Sequence, residues 1–150
     1  MTMLYKKILV AVDGSKEAEL AFRKSVGIAA RNQADLYLTS IIDNRSFGTI
    51  ESYGREFAEE SKRQAESLLS EYKNKAVEAG ATEVHIVIEM GSPKTLIPVD
   101  LVRRFNIDLI ICGATGTNSA ERIFMGSVSE RIVRAAKCDV LIVRTEEKEA

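Results

Sequence analysis

Short runs of Val, Ile and Leu alternate along this chain with longer stretches of helical periodicity, and that alternation leaves few folds open. The apolar runs are residues 8–12, 36–42, 84–88, 107–112 and 140–143. The first, fourth and fifth are apolar on both alternations, as strands covered on both faces of a sheet must be. The third alternates, with His85, Val87 and Glu89 on its second face, which places it toward an edge. Ser15 stands as an N-cap before a helical stripe of Ala18, Ala21, Phe22, Val26 and Ala29. Residues 55–79 carry Ala58, Ala65, Leu68, Leu69, Tyr72 and Ala76 at three- and four-residue spacing and stop at Gly80. Ser92-Pro93 opens a third helix, in which Pro98 predicts a kink or a late start. A fourth begins near Ser127 and is expected to turn Val128, Ile132, Val133 and Ala136 inward. The order β-α-β-α-β-α-β-α-β calls for an α/β fold with a parallel sheet and helices on both faces. Right-handed crossovers reduce this to an open, doubly wound, five-stranded arrangement.

A length of 150 residues fits one domain, which at this size buries roughly 68–70% of its unfolded surface without staples. Lys and Arg number 21 against 22 for Asp and Glu, so the basic surplus of a nucleic-acid binder is missing. No apolar run approaches the ~18–20 residues of a membrane span, and the first residues lack the order of a secretory signal. Cys112 and Cys138 are too few for a disulfide framework and sit in apolar surroundings. A single histidine and the lack of ligand spacing argue against structural zinc. The expectation is a soluble cytoplasmic protein that binds neither nucleic acid nor membrane. The stretch from Asp43 to Gly54, with Phe47, Ile50 and Tyr53, reads as a long connection, either a lid or a surface loop.

The segment that carries chemistry follows the fourth run. Gly113-Ala114-Thr115-Gly116 is followed, after nine residues, by Gly126-Ser127-Val128-Ser129. Two glycines three apart after a strand let backbone N–H groups approach an anion. The later Gly-Ser pair opens a helix, whose unpaired donors and positive dipole end favour phosphate, and the hydroxyls of Ser127 and Ser129 offer further donors. A competing reading is internal: Ser127 and Glu130 fit a capping box that satisfies the helix end by itself. The spacing is neither a P-loop, which needs a Lys after its last glycine, nor a Rossmann G-x-G-x-x-G. The residues alone leave phosphate binding and capping both open.

Gly113-x2-Gly116-x9-Gly126-Ser127 resembles the ATP-binding signature of the universal stress protein family, G-2x-G-9x-G-[ST]. Lys7-Ile8-Leu9-Val10-Ala11-Val12-Asp13-Gly14-Ser15 is similar to that family's first strand and acidic turn; Gly91-Ser92-Pro93 and Cys138-Asp139-Val140-Leu141-Ile142-Val143 match as well. The resemblance implies strand order 3-2-1-4-5, with strands one and four adjacent at the switch point where open α/β sheets bind ligands. It implies an ATP site with Mg or Mn bridging the phosphates. Asp13 would lie beside ribose and phosphates, and Ile41 would offer backbone groups to adenine. Ala11, Val12 and Cys112 would line the purine and ribose pocket, with Gly113 and Gly116 on the ribose–phosphate side. Gly126, Ser127, Val128 and Ser129 would hold the phosphates. It further implies a homodimer through the strand from Val140 to Val143, which also follows from the need to cover an apolar edge. The chain departs from the family at Asp139, where many members carry proline, and at Pro98.

The function expected is an ATP-binding stress or regulatory protein in which nucleotide biases a lid and the binding of an unidentified protein partner. A slow ATPase is the first alternative, weakened by the lack of a general base, a loop lysine or an arginine finger other than Arg122. A dimeric scaffold without nucleotide is the second. Arg122 reads as a solvated surface residue, His85 as structural and Cys112 as packing.

Overall fold

The computed structural model describes residues 4–43, 51–114 and 125–144. Five strands, β1 (Lys7–Ala11), β2 (Asp35–Ile42), β3 (Glu83–Met90), β4 (Leu109–Gly113) and β5 (Asp139–Val143), form one sheet in the order β3-β2-β1-β4-β5. Every pairing is parallel. The helices are α1 (Lys16–Asn32), α2 (Glu51–Glu78), α3 and α4 (Ser127–Ala135). Helix α3 is composite: an α-helical turn Pro93–Thr95, a π-helical turn Leu96–Leu101 and a second α-helical piece Val102–Phe105. The α/β class, the five parallel strands and their 3-2-1-4-5 order are as the sequence and its resemblance imply.

Both sheet faces are covered, and the alternation of β1 decides how. Ile8 and Val10 join Leu36 and Leu38 beneath Phe22 of α1 and Leu69 and Tyr72 of α2. Leu9 points the other way, toward Ile97 and Leu101 of α3 and Ile132 of α4. Ile8, Leu9 and Val10 are all 0% exposed, which is why the first run is apolar on both alternations. Strand β3 is an edge, as its mixed face predicts.

Four details differ from the sequence reading. Val133 is 46% exposed, so it does not face inward; the buried side of α4 is Ser129 and Ile132, and the residue after Ile132 is rotated by about 100°. Gly54 lies inside α2, which begins at Glu51, because one glycine costs a helix only about 1 kcal/mol. The connection from Asp43 is therefore shorter than expected, and residues 44–50 of the anticipated lid lie outside the described residues. Strand β4 starts at Leu109 rather than residue 107, since Asp108 is used first, accepting the N–H groups of Lys6 and Lys7 at 2.8 and 3.1 Å.

Pro98 yields a π turn rather than a simple kink. Pro93, Ile97, Leu101 and Phe105 recur every four residues, a spacing that drifts by roughly 40° per step on an α-helix. One wider turn, at the residue whose ring and missing N–H already disrupt the α ladder, offsets that drift. Ile97, Pro98 and Leu101 are accordingly all buried. Asp139, where proline is common in the family, has its own use here: the Tyr5 hydroxyl donates to its carboxylate at 2.7 Å, tying the lead into β1 to the start of β5. That bond and the neighbouring negative charge hold the Tyr5 hydroxyl above its usual pKa.

Helix α1 closes with Gln33 in the left-handed region, φ 53°, its N–H turned to the carbonyls of Ala29 and Ala30. A side chain with a Cβ is disfavoured there and glycine is not. Gln33→Gly is therefore expected to stabilise the fold by about 0.5–1 kcal/mol. Thermal unfolding reads this as a rise in Tm of roughly 2–4 °C per kcal/mol for a chain of this size.

Candidate functional site

Strands β1 and β4 are neighbours in the sheet, yet β1 feeds α1 on one face and β4 feeds α4 on the other. Their carboxyl ends therefore open onto a gap that neither crossover covers. A cleft of about 390 Å³ lies there, within the usual range for small-molecule sites, about 300–1,000 Å³. Of the residues named from sequence, Ala11, Val12, Asp13, Ile41, Cys112, Gly113, Gly126, Ser127, Val128 and Ser129 all line it. Gly116 and Arg122 lie outside the described residues.

The rim from β1 is built by a tight turn. Gly14 takes φ +84°, open to few other residues. The Ser15 N–H donates to Asp13 Oδ1 at 2.8 Å, and Ser15 Oγ in turn accepts from the Ala18 N–H at 3.1 Å. Ser15 is thus the N-cap of α1, as its position predicts. Asp13 braces the turn with one oxygen, and among the described residues its other oxygen has no partner.

The rim from α4 is built by backbone. Gly126 is the N-cap, extended at φ −62° and ψ 156°, with no side chain capping the helix. The capping box therefore does not form. Ser127 is already helical, and Glu130 pairs instead with Arg134 at 2.9 Å. The first intrahelical acceptor is the Gly126 carbonyl, taken by the Glu130 N–H at 2.9 Å. That leaves the N–H groups of Ser127, Val128 and Ser129 without an acceptor among the described residues, at the positive end of the helix dipole. The chain leading in is fixed by two bonds, Ala114 N–H to the Val143 carbonyl at 3.0 Å and Gly126 N–H to the Ala114 carbonyl at 2.7 Å.

Two residues act differently from the sequence reading. The Ser129 hydroxyl is not a free donor, because it is buried and donates to the Gly113 carbonyl at 2.6 Å. Gly113 is needed first for packing: a Cβ there would lie 3.0 Å from Glu17 Cβ and 3.1 Å from the Glu17 carbonyl oxygen of α1. Cys112 forms part of the cleft wall with its thiol pushed up to about 11 by burial, although Ser129 acts in the opposite direction. It is a neutral packing group, as expected, and not a nucleophile.

The cleft also contains residues that the sequence reading did not assign to a site. Thr39 and Ser40 come from β2, Pro93 and Ile97 from α3, Ser15 and Ala18 from α1, and Ile132 from α4. Thr39 was within reach of sequence logic, since it lies two residues before Ile41 on the same strand face. It is fully buried, with its hydroxyl donated to the Val87 carbonyl at 2.9 Å. Ile97 is placed by the π turn, which no spacing announces. His85 is elsewhere, stacked on Tyr37 at 4.7 Å with Nε2 4.0 Å from Asp35, in keeping with a structural role. Among the described residues no three His, Cys, Asp or Glu side chains gather as a metal site, and no helix is long and apolar enough to cross a membrane.

The sheet and its cleft define a doubly wound α/β protein of the kind that receives ligands beyond the carboxyl ends of its strands. Residues 4–144 match the family model described as the universal stress protein family, and the chain belongs to that family. A Staphylococcus aureus (strain USA300) protein named as a candidate universal stress protein is 52% identical over 143 residues, covering 95% of this chain and 86% of that one. The structure of UspA from Lactobacillus plantarum is similar at a TM-score of 0.88 and 32% identity, over 95% of this chain and 100% of the other. A universal stress protein solved in complex with cAMP is similar at a TM-score of 0.73 and 27% identity, over 96% and 100%.

Gly113→Ala tests the packing role. The added methyl meets backbone of α1 rather than a movable side-chain tip, so a loss of about 1–3 kcal/mol is expected in denaturant unfolding. A variant as stable as the wild type would remove the steric argument.

Proposed function

We propose that the cleft binds ATP, with Mg or Mn bridging the phosphates, and that occupancy regulates a protein partner. The observation that carries this reading is the uncapped start of α4. Three backbone donors stand at the positive end of a helix and face a cleft, where a capping side chain would otherwise have closed them. The dihedrals of Gly126 are open to any residue, so its conformation does not call for glycine. Room for a phosphate beside the backbone does.

Asp13 is the wrong sign for phosphate itself. Its second oxygen, without a partner among the described residues, suits a ribose hydroxyl donor or a phosphate-bound cation. Ile41, Ile97 and Pro93 supply apolar surface for a base, and the backbone of Ile41 ends β2 within reach of its edge. The universal stress protein solved with cAMP lends support, since cAMP is an adenine nucleotide. No Lys, Arg or His lines the cleft among the described residues, and this favours a binding switch over a slow ATPase. Free Cys112 and Cys138 fit a reducing compartment, the cytoplasm.

Freshly purified protein, denatured and analysed by chromatography and mass, is expected to release ATP. Release of ADP alone would favour the slow ATPase. Calorimetry with Mg-ATP should show binding lost in Gly126→Val and weakened in Asp13→Ala with the fold intact. A Gly126→Val protein of unchanged affinity would remove the phosphate loop from the proposal. An empty site that ignores added Mg-ATP would leave a dimeric scaffold as the better account.

The same reading includes a homodimer. Among the described residues strand β5 pairs only with β4, at the edge of the sheet, and its Val140, Leu141, Ile142 and Val143 are each half-buried. A twofold copy would cover this row and its unpaired backbone groups. Ile142→Asp should shift the protein to a monomer in sedimentation; a dimer that persists would place the interface elsewhere.

A further inference from the structure

Helices α1 and α2 lie side by side on one face of the sheet, where Phe22 and Val26 of the first and Tyr72 of the second join the same core. Their outer edges do not close on each other completely. A groove of about 330 Å³ remains between them, lined by Glu19, Phe22, Arg23 and Val26 of α1 and by Tyr72, Lys75 and Ala79 of α2. Three- and four-residue spacing puts each set on one stripe of its helix. None of these residues lines the cleft at the strand ends, so the groove is a separate place in the fold.

The floor of the groove is apolar and aromatic. Phe22 and Val26 are buried, and the rings of Phe22 and Tyr72 stand 4.6 Å apart, tilted at 51°. Such a pair offers a further ring the offset or edge-on contacts that aromatic groups prefer. The rim is rich in donors, since a guanidinium carries five N–H groups and an ammonium three. Arg23 meets Glu19 at 3.2 Å and Lys75 meets Glu71 at 3.4 Å, each within one turn of its own helix and open to solvent. Exposed pairs of this kind are weak and yield readily to a ligand. Lys75 Nζ also lies 5.2 Å from the centre of the Tyr72 ring, which holds it at the groove. Two cations against Glu19 leave the lining with a positive charge in excess.

Tyr72 is the residue that points to a ligand. It is 7% exposed and lines the groove, yet its hydroxyl has no hydrogen-bond partner among the described residues. A buried tyrosine usually finds one. Burial, and after it the charge of Glu19, raises the pKa of this hydroxyl, with Lys75 acting the other way, so it stays protonated and able to donate.

We infer that the groove is a second ligand site, independent of the nucleotide reading, and that it takes a small carboxylate with an aryl body. The ring rests on Phe22, Val26 and Ala79, and the carboxylate, an acceptor with no proton to give, draws donors from Tyr72, Lys75 and Arg23. An amine meets two cations there. A phosphate dianion exceeds the charge of the lining and gains nothing from the floor. The volume stands at the small end of the usual range for ligand sites, about 300–1,000 Å³, which suits one ring and a short arm.

The test is an amide NMR titration of isotope-labelled protein with cinnamate, cinnamyl alcohol and cinnamylamine, which share a skeleton and differ in head group. Cinnamate should bind most tightly, with shifts centred on Phe22, Val26 and Tyr72. Lys75→Gln, at an exposed position, should lower the cinnamate-to-alcohol affinity ratio by about two- to fivefold, the worth of one exposed charge pair. Tyr72→Phe keeps the ring contact with Phe22, and so the fold, and should weaken cinnamate by about fivefold, the worth of one hydrogen bond. Equal affinity for the three compounds, or a ratio unchanged in Lys75→Gln, overturns the proposal. Shifts centred on Asp13, Gly113 and Ser127, which place the compound in the other cleft, overturn it too, as does a protein that binds none of the three.

Discussion

The structure depends on one constraint: β1 is buried on both faces. Ile8 and Val10 require cover from α1 and α2, and Leu9 requires it from α3 and α4. A parallel strand in that position cannot take both covers from one crossover, so the chain winds one way for strands one to three and the other way for four and five. The parting of the two windings is the gap between the carboxyl ends of β1 and β4. The cleft is therefore a by-product of core burial. Its position needs no functional residue, whereas its chemistry needs several.

That chemistry is mostly backbone. The Ser129 hydroxyl closes on the Gly113 carbonyl, Thr39 closes on Val87, and the Cys112 thiol is buried and neutral. Hydroxyls around the cleft close on backbone carbonyls of its walls, while among the described residues the first N–H donors of α4 and one oxygen of Asp13 are left open. Rigid walls matter for such a site, since a backbone donor cannot change rotamer to find its ligand and must already be placed. The ties from Ala114 to Val143 and from Gly126 to Ala114 serve that end, holding the entry to α4 against β5.

Much of this is legible in the residues. The apolar runs give the strands, the alternation of His85, Val87 and Glu89 marks an edge, and Gly113 and Gly126 mark the end of β4 and the start of α4 that border the gap. Features set by tertiary fit are not legible. Capping by Ser127 and Glu130 was a sound local reading, but the helix starts one residue earlier, with Gly126 at its cap and Glu130 paired to Arg134. The π turn arises because Ile97, Leu101 and Pro93 must share a face, a demand made by the sheet rather than by the segment. The left-handed turns at Gln33 and Asn106 carry no glycine to announce them.

A site assembled in this way behaves differently from one built on lysine or histidine. Backbone N–H groups do not titrate, and the thiol in the cleft wall ionises only near pH 11. The backbone donors and the buried thiol therefore keep one charge state across the physiological pH range. Salt acts on a positive potential of this kind less than on that of a lysine-rich pocket, because it comes from fixed dipoles at short range rather than from mobile exposed charges.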